Sequence, residues 1–380
     1  MNLLKSAIQF ELDSFFAAVL GREVPQREIT QSAFSQARNH LKHEAFIALN
    51  NRAAAVFYAE APIRRWHGYR TLAVDGTGLR LPHTAQLRAA FPGSKAGEVP
   101  QARLVALFDV LNGITLGAEL SQAEIGEGDL AEWLLRAHAQ PGDLLLYDRN
   151  FPSFYLLALH ACLNLDYCMR CPVGRFNAVK AFVASGERER WVAISPCDEA
   201  RRACERNGLG TAPIRVRLVR VDLPNGEVEV LITSLGQAIP ASELAALYHL
   251  RWGIEEAYKL HKCRGELENF SGRTVRAVYQ DVFAKLFSMN LAAMCAFAAD
   301  DQAQQAVGDR KLPYQINRTK TLSKAKHHLV CAVLGMAGRL HALLHWIATD
   351  VEAVRSGRSF PRRNPGRKKP GFHPAYKRTA

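Results

Sequence analysis

Apolar residues recur at helical spacing in SFFAAVLGR and AFIALNNRAAAVFYA near the start of the chain. Ser and Thr caps punctuate the stretch VPQREITQSAFSQARNHLKHEAF. Residues 1–65 therefore read as a small helical domain of mixed charge. The texture changes near residue 70. RTLAVDGTGLRLP reads as a strand that ends at Asp75 and meets a Gly-rich turn. ARLVALFDVLNGITLGAELSQ reads as two strands joined at Asn112-Gly113, a strong hairpin signal. GDLAEWLLRAHAQPGD is a helix, with Asp129 and Glu132 in capping-box order. DLLLYDRN is a buried strand, FPSFYLLALHACLN a helix and LDYCMRC a further strand. Strand, strand, strand, helix, strand, helix, strand indicates an α/β fold with a mixed sheet and helices on its faces.

Residues 172–238 break that order, carrying strand signals and little helix. IRVRLVRVDL and VEVLIT flank the turn PNGE and predict a hairpin inside a β-rich insertion. Helices return in YHLRWGIEEAYKLHK, in RTVRAVYQDVFAKLFSMNLAAMCAFAA and between about 322 and 350. The tail differs again. Residues 355–380 hold nine basic residues, four prolines, three glycines and no acidic residue. That composition predicts a flexible basic arm rather than a packed fold, with a domain edge near residue 351. Such an arm binds phosphate backbones without reading sequence, although a merely solubilising tail has the same composition.

The helix YHLRWGIEEAYKLHK raises the first chemical question. At about 100° per residue, Tyr248, Arg251, Glu255 and Lys262 fall within an arc of about 60°. Leu247, Leu250, Ile254 and Ala257 form an apolar face beside them. Ser242 is the expected N-cap and Gly265 the expected C-cap. One helix thus packs on one side and presents a polar line of Tyr, Arg, Glu and Lys, which an ordinary solvated amphipathic helix would also do.

Charge narrows the partner. Lys plus Arg number 49 and Asp plus Glu 36, a formal charge of +13. That balance favours a polyanion: nucleic acid first, an anionic membrane surface second. No apolar run in the sequence approaches the ~18 residues of a membrane span, and acidic residues interrupt the N-terminal stretch MNLLKSAIQFELDSFF. A soluble cytoplasmic protein is expected. The eight cysteines form no dense framework, so reduced thiols are expected. Cys168, Cys171, Cys197 and Cys204 offer four thiolates to a structural zinc. Against that, Cys168 sits in an apolar strand-like run and the second pair has a loose spacing, so buried or surface thiols also fit.

Two carboxylates stand out. Asp75 follows the apolar run TLAV, and Asp148 follows LLLY. An acid at the C-terminal end of a buried strand is costly to desolvate and often belongs to a site. If the two strands are neighbours, both acids emerge at one edge of the sheet, where Glu255 can complete a cluster. Three close carboxylates repel one another unless cations sit between them. Oxygen ligands of this kind suit Mg²⁺ or Mn²⁺. A pair of such ions about 3.5–4 Å apart activates water and stabilises the leaving oxygen of a phosphodiester. Glu127, Asp129, Asp109 and Asp143 compete for this role. Asp129 reads better as a helix cap and Asp143 as a turn residue after Pro141-Gly142. Asp109 lies mid-strand beside the hairpin and points either way.

Tyr248, Arg251, Glu255 and Lys262 fit the pattern Y-x2-R-x3-E-x6-K. With LAVDGTGLRLP, LLLYDRNF and ELENFSGRTVRAVYQD in the same order, the chain resembles the insertion-sequence-four family of DDE transposases over roughly residues 33–300. The resemblance implies an RNase H-like catalytic core, in two parts over 66–171 and 239–350, interrupted by the insertion at 172–238. It implies Asp75, Asp148 and Glu255 as ligands of two Mg²⁺ ions, with Mn²⁺ as substitute. Tyr248, Arg251 and Lys262 would contact phosphates at the element end. Trp252 would help hold a flipped base, although core packing explains it equally well. The implied reaction is cut-and-paste transposition: water, then the freed 3′-OH, attacks phosphodiesters, through a hairpin in several members, before strand transfer into target DNA. The implied partners are the terminal inverted repeats, target DNA and a second copy of the chain in a synaptic homodimer. Arg215 and Arg217 share one strand face and would meet either DNA or solvent. An RNase H-like nuclease without strand transfer, and an inactive or regulatory DNA-binding descendant, remain open alternatives.

Overall fold

The structure, a computed structural model, describes residues 7–93, 99–223, 226–308, 311–335 and 337–354. The basic arm expected over 355–380 lies outside them. Three helices open the described chain: α1 (Ile8–Leu20), α2 (Gln31–Arg38) and α3 (Glu44–Glu60). Then come β1 (Thr71–Arg80), the short α4 (Ala85–Ala90), β2 (Gln101–Asp109) and β3 (Ile114–Gln122). These are followed by α5 (Glu127–His138), β4 (Leu144–Tyr147), α6 (Phe154–Leu163) and β5 (Asp166–Cys171). The region read as an insertion holds α7 (Asn177–Ser185), β6 (Glu189–Ile194), α8 (Asp198–Arg206), β7 (Ile214–Asp222) and β8 (Val228–Thr233). The rest is α9 (Ala241–His249), α10 (Trp252–Cys263), α11 (Val275–Val307), β9 (Tyr314–Ile316), α12 (Arg318–Val333), α13 (Ala337–Ala348) and β10 (Val351–Ala353).

The chain divides into two compact units. One comprises Pro62–Thr77 and Arg103–Tyr258, and the other the described residues of Met1–Ala61, Gly78–Ala102 and Lys259–Ala380. An eight-stranded mixed sheet, in the order β3-β2-β1-β4-β5-β8-β7-β6, runs through the first. β1, β4 and β5 are parallel neighbours. β8, β7 and β6 continue the sheet in antiparallel fashion. The parallel strands need apolar residues on both faces because helices cover both. Leu72, Ala73 and Val74 of β1 and all four residues of β4 are accordingly buried. The fold is α/β, as the alternation of elements predicts.

Two sequence expectations change. The segment 172–238 carries more helix than expected: beside its three strands, which extend the main sheet, it holds α7 and α8. In the sequence DEARRACER of α8, Ala200, Ala203 and Cys204 are the sole apolar residues, a stripe at helical spacing but short and small, and Cys204 is its one buried residue. Asp198 and Glu199 in its first turn and Arg206 in its last complement the helix dipole instead. The tail edge also moves, because Val351–Ala353 pairs with Tyr314–Ile316 as a two-stranded ribbon.

In the second unit α11 is the spine. It is 33 residues long, and by length and composition it could cross a membrane, which the sequence reading did not register. Its apolar positions are nonetheless engaged within the unit. Cys295, Ala299 and Ala303 pack with Ile316, Leu343 and Ile347, and Met289 and Ala292 pack with Leu322 and Ala325.

Candidate active site

The parallel register of β1 and β4 pairs Val74 with Tyr147. The next residues, Asp75 and Asp148, therefore leave the pairing at the same edge. β4 stops there, but β1 runs on to Arg80, so Asp75 lies within its strand rather than at its end. The end of β4 is held from behind. Tyr147 is fully buried, and its hydroxyl meets His160 Nε2 at 3.1 Å. His160 Nδ1 is 2.8 Å from the carbonyl oxygen of Leu156, which can only accept. The ring therefore donates from Nδ1 and accepts the Tyr147 hydroxyl at Nε2. Burial holds His160 neutral, its pKa lowered to about 4.

The helix expected to carry Tyr248 through Lys262 is two helices. α9 ends at His249 and α10 begins at Trp252. Between them the amides of Arg251, Gly253 and Ile254 bond three residues back, to the carbonyls of Tyr248, Leu250 and Arg251. These tight turns advance the chain differently from an α-helix, so the single polar line counted at 100° per residue does not exist. At Gly253 the turn lies against Val110, whose Cβ is 3.5 Å from where a Gly253 Cβ would stand, an ordinary contact distance. α9 starts after Pro240 with no side-chain cap, and α10 ends at Cys263.

The break has a geometric result. It turns Arg251 inward, leaving it 7% exposed. Its Nη2 donates to Glu255 Oε1 at 2.6 Å, and its Nη1 lies 3.8 Å from Asp75 Oδ2. The guanidinium also stands 5.7 Å from the centre of the Tyr248 ring. Burial opposes its charge, but the bond to Glu255 and the nearby Tyr248 and Asp148 outweigh burial and raise its pKa. Its Nε is buried without a hydrogen-bond partner. Tyr248 reaches Asp148 Oδ1 with its hydroxyl at a long 3.5 Å. Burial raises the Tyr248 pKa and keeps it a neutral phenol. Asp75, Asp148, Glu255, Tyr248 and Arg251 thus form one connected group within the α/β unit.

Asp75 is the electrostatic focus. Burial pushes its carboxyl up to about 6, an effect reduced by the Gly76 amide and Arg251 and reinforced by Glu127 and Glu255. The Gly76 amide donates to Asp75 Oδ1 at 2.9 Å. Tyr258 donates to the Asp75 backbone carbonyl at 2.7 Å, which fixes the strand from the α10 side. Glu127 stands close by: its Oε1 is 2.5 Å from where a Gly76 Cβ would be, and Arg103 is its ion-pair partner at 3.7 Å. Tyr258 was not singled out from the sequence, where it resembles any core tyrosine of an amphipathic helix.

Lys262 belongs to the other unit. It donates to the Gly78 carbonyl at 2.6 Å and stands 4.0 Å from Glu268, and burial lowers its pKa. Trp252 is 42% exposed, so core packing does not account for its ring. The competing acids have structural work. Asp109 is fully buried and accepts the amides of Leu111 and Asn112 at 3.0 Å each. Asp143 is buried against Arg70, whose Nε donates to it at 2.8 Å. Asp129 sits in the first turn of α5 but does not cap it, because the N-cap is Gly126. Arg217, offered as a DNA contact, is 1% exposed and donates to the carbonyls of Gly236 and Ile239 and to Glu189. Arg215 instead lies over the Trp191 ring at 4.8 Å. Cys168, Cys171, Cys197 and Cys204 are free thiols, and burial pushes Cys168 and Cys171 up to about 12, which disfavours a thiolate zinc site.

Among the described residues no three His, Cys, Asp or Glu side chains stand close enough together to hold a metal ion. The donor set nonetheless fits a hard cation. It is all carboxylate oxygen, and Arg251 already serves as a stand-in positive charge between Asp75 and Glu255.

Comparison with known proteins closes the question of family. Residues 66–291, more than half of the chain, match the family described as Transposase DDE domain. The chain is 26% identical over 348 residues to the transposase InsG of insertion sequence element IS4 from Escherichia coli K12, covering 88% of this chain and 76% of that protein. It also aligns with the piggyBac transposase in a cryo-EM structure of its synaptic complex with hairpin DNA, at 12% identity and a TM-score of 0.42. That alignment covers 78% of this chain and spans 60% of the other chain's length. A family match that includes both aspartate strands and the Glu255 helix makes this chain a member of the DDE transposases, enzymes of phosphoryl transfer on DNA.

Proposed function

We propose that the chain is a cut-and-paste transposase: it cleaves at the ends of its element and joins the freed 3′ ends to target DNA. The observation that carries the reading is the connected group itself. Asp75 and Asp148 follow paired positions of parallel strands, and Glu255 is tied to Asp75 through Arg251. In this reading the α/β unit is an RNase H-like core whose sheet is extended by the segment 172–238. Residues 1–65 form an end-binding helical domain, and the basic segment 355–380 supplies further charge to DNA.

Asp75, Asp148 and Glu255 would hold two divalent ions, Mg²⁺ with Mn²⁺ as substitute, which when bound activate the attacking oxygen and stabilise the leaving one. The chain's own residues do the rest. Asp75 must be charged to bind a cation, and its backbone is fixed by Tyr258. Tyr248, neutral because it is buried, offers a hydroxyl at the Asp148 edge. Arg251 supplies positive charge to the strand being cut, and Lys262, on the other unit, is read as a separate phosphate contact. Trp252, half out of the surface, offers a ring for an unstacked base. The net charge of +13 favours DNA over other partners. The chain acts as a homodimer on paired ends, in the cytoplasm and on the nucleoid, and a hairpin intermediate precedes release. Incubation of purified protein with donor and target plasmids tests the joining step. Joined donor–target molecules in Mg²⁺ support transposition, and cut ends without joined products would reduce the protein to a nuclease.

A further inference from the structure

Arg251 cannot serve the acids and a phosphate at once. It is 7% exposed, and both ends of its guanidinium point at carboxylates: Glu255 at 2.6 Å and Asp75 at 3.8 Å. Asp148 adds a third negative influence on the same cation. Its Nε, buried and without an acceptor, remains an unused donor. One positive charge therefore stands among three acids that the proposed reaction assigns to metal. The cost of leaving those acids unpaired in a half-buried site holds Arg251 inward. A divalent cation arriving at Asp75 and Glu255 removes that cost and frees the guanidinium.

We propose that Arg251 is an internal counter-ion of the metal-free site, exchanged for a divalent cation, and that its release couples metal binding to DNA-end binding. This rests on the reading of Asp75, Asp148 and Glu255 as metal ligands. Two states follow: Arg251 on the acids, or metal on the acids with Arg251 on a DNA phosphate. The exchange weakens metal binding to the DNA-free protein and end binding to the metal-free protein. Reciprocity then requires each ligand to strengthen the other by the same factor, about 5–150-fold for a coupling of ordinary size. The structural consequence is economy of charge: Asp75 and Glu255 share one compensating cation until metal and DNA are both present.

The test is a pair of titrations on the full chain. Mn²⁺ binding is measured by calorimetry with and without a duplex from the gene's own flank. Binding of that duplex is measured by anisotropy with and without Ca²⁺ at matched ionic strength. Arg251→Gln should bind Mn²⁺ at least about fivefold more tightly than wild type in the absence of DNA, and the mutual strengthening should shrink at least about fivefold. Equal or weaker Mn²⁺ binding by the variant, or unchanged coupling, overturns the proposal. If Arg251→Gln does not fold, Arg251→Lys replaces it: its single ammonium cannot bridge both carboxylates, so tighter Mn²⁺ binding is again required. Asp75→Asn separates the two layers. Wild-type Mn²⁺ affinity in Asp75→Asn defeats the metal-ligand reading itself. Lost affinity there, together with unchanged coupling in the Arg251 variants, defeats the counter-ion alone.

Discussion

Replacing Asp75 by Asn should make the metal-free protein more stable while destroying its activity. Folding moves the Asp75 carboxyl from its ordinary 3.8 up to about 6, chiefly by burial. At ~1.4 kcal/mol per pH unit, that displacement corresponds to about 3 kcal/mol of destabilisation whenever the group is charged. The sign is the reverse of the usual carboxylate. Between pH 3.8 and about 6 the folded state binds a proton that the unfolded chain has lost, so wild-type stability rises as pH falls through that window. The penalty is fully present above about pH 6 and absent below 3.8. Asn keeps the shape without the charge but gives up the approach of Arg251 at 3.8 Å and part of the Gly76 amide bond. The net gain should therefore fall below the full amount, to about 1–2 kcal/mol. Thermal melting in EDTA at pH 8 and pH 4.5 measures it: Asp75→Asn should melt several degrees higher at pH 8, with the gap closing at pH 4.5. Mn²⁺ should then raise the melting temperature of wild type and not of the variant. An Asp75→Asn protein less stable than wild type at pH 8 would refute the argument that burial, not pairing, dominates this carboxyl.

Gly76→Ala brings a Cβ within 2.5 Å of Glu127 Oε1 and 2.7 Å of its Cδ, so Glu127 must swing away. A loss of about 1 kcal/mol is expected, and adding Glu127→Ala should return it in a double-mutant cycle. Arg217→Met removes donors to two carbonyls and to Glu189, and should cost about 3 kcal/mol by denaturant titration. DNA affinity of the folded fraction should stay unchanged. Trp252→Ala, at an exposed position, should change stability by less than about 0.5 kcal/mol. It should weaken end binding by about 1–3 kcal/mol if the ring stacks on a base. Wild-type end affinity and cleavage in this variant would remove Trp252 from the site.

Much of the α/β sheet was legible in the sequence because its strands obey local rules. The runs TLAV and LLLY are apolar but for the Thr71 and Tyr147 hydroxyls and are buried throughout, as parallel strands covered on both faces must be, and each is followed by an acid. Their adjacency was an inference, and the register of Val74 with Tyr147 supplies it. The hairpin between β7 and β8 was equally readable from its turn residues, although Pro224 and Asn225 lie outside the described residues. The break between α9 and α10 was not readable. A helical period assumes constant rotation, and three i−3 bonds around Arg251 violate that assumption without changing the apolar pattern. The burial of Arg251 and of Arg217 was not readable, for one reason. Arginine is usually solvated, and its burial is decided by distant carboxylates and carbonyls that no sequence window contains. The helix α8 escaped because its apolar stripe is three small residues, Ala200, Ala203 and Cys204, among charges.

The central claim is that Asp75, Asp148 and Glu255 act together in metal-dependent DNA cleavage. The most direct test incubates the purified chain with a plasmid carrying its gene and native flanks, in Mg²⁺ or EDTA, beside Glu255→Ala. The account predicts cuts at two matching flank sites in Mg²⁺ only, lost in Glu255→Ala while DNA binding persists. Cleavage by Glu255→Ala at the wild-type rate, or none by wild type in either Mg²⁺ or Mn²⁺ despite firm DNA binding, would contradict it.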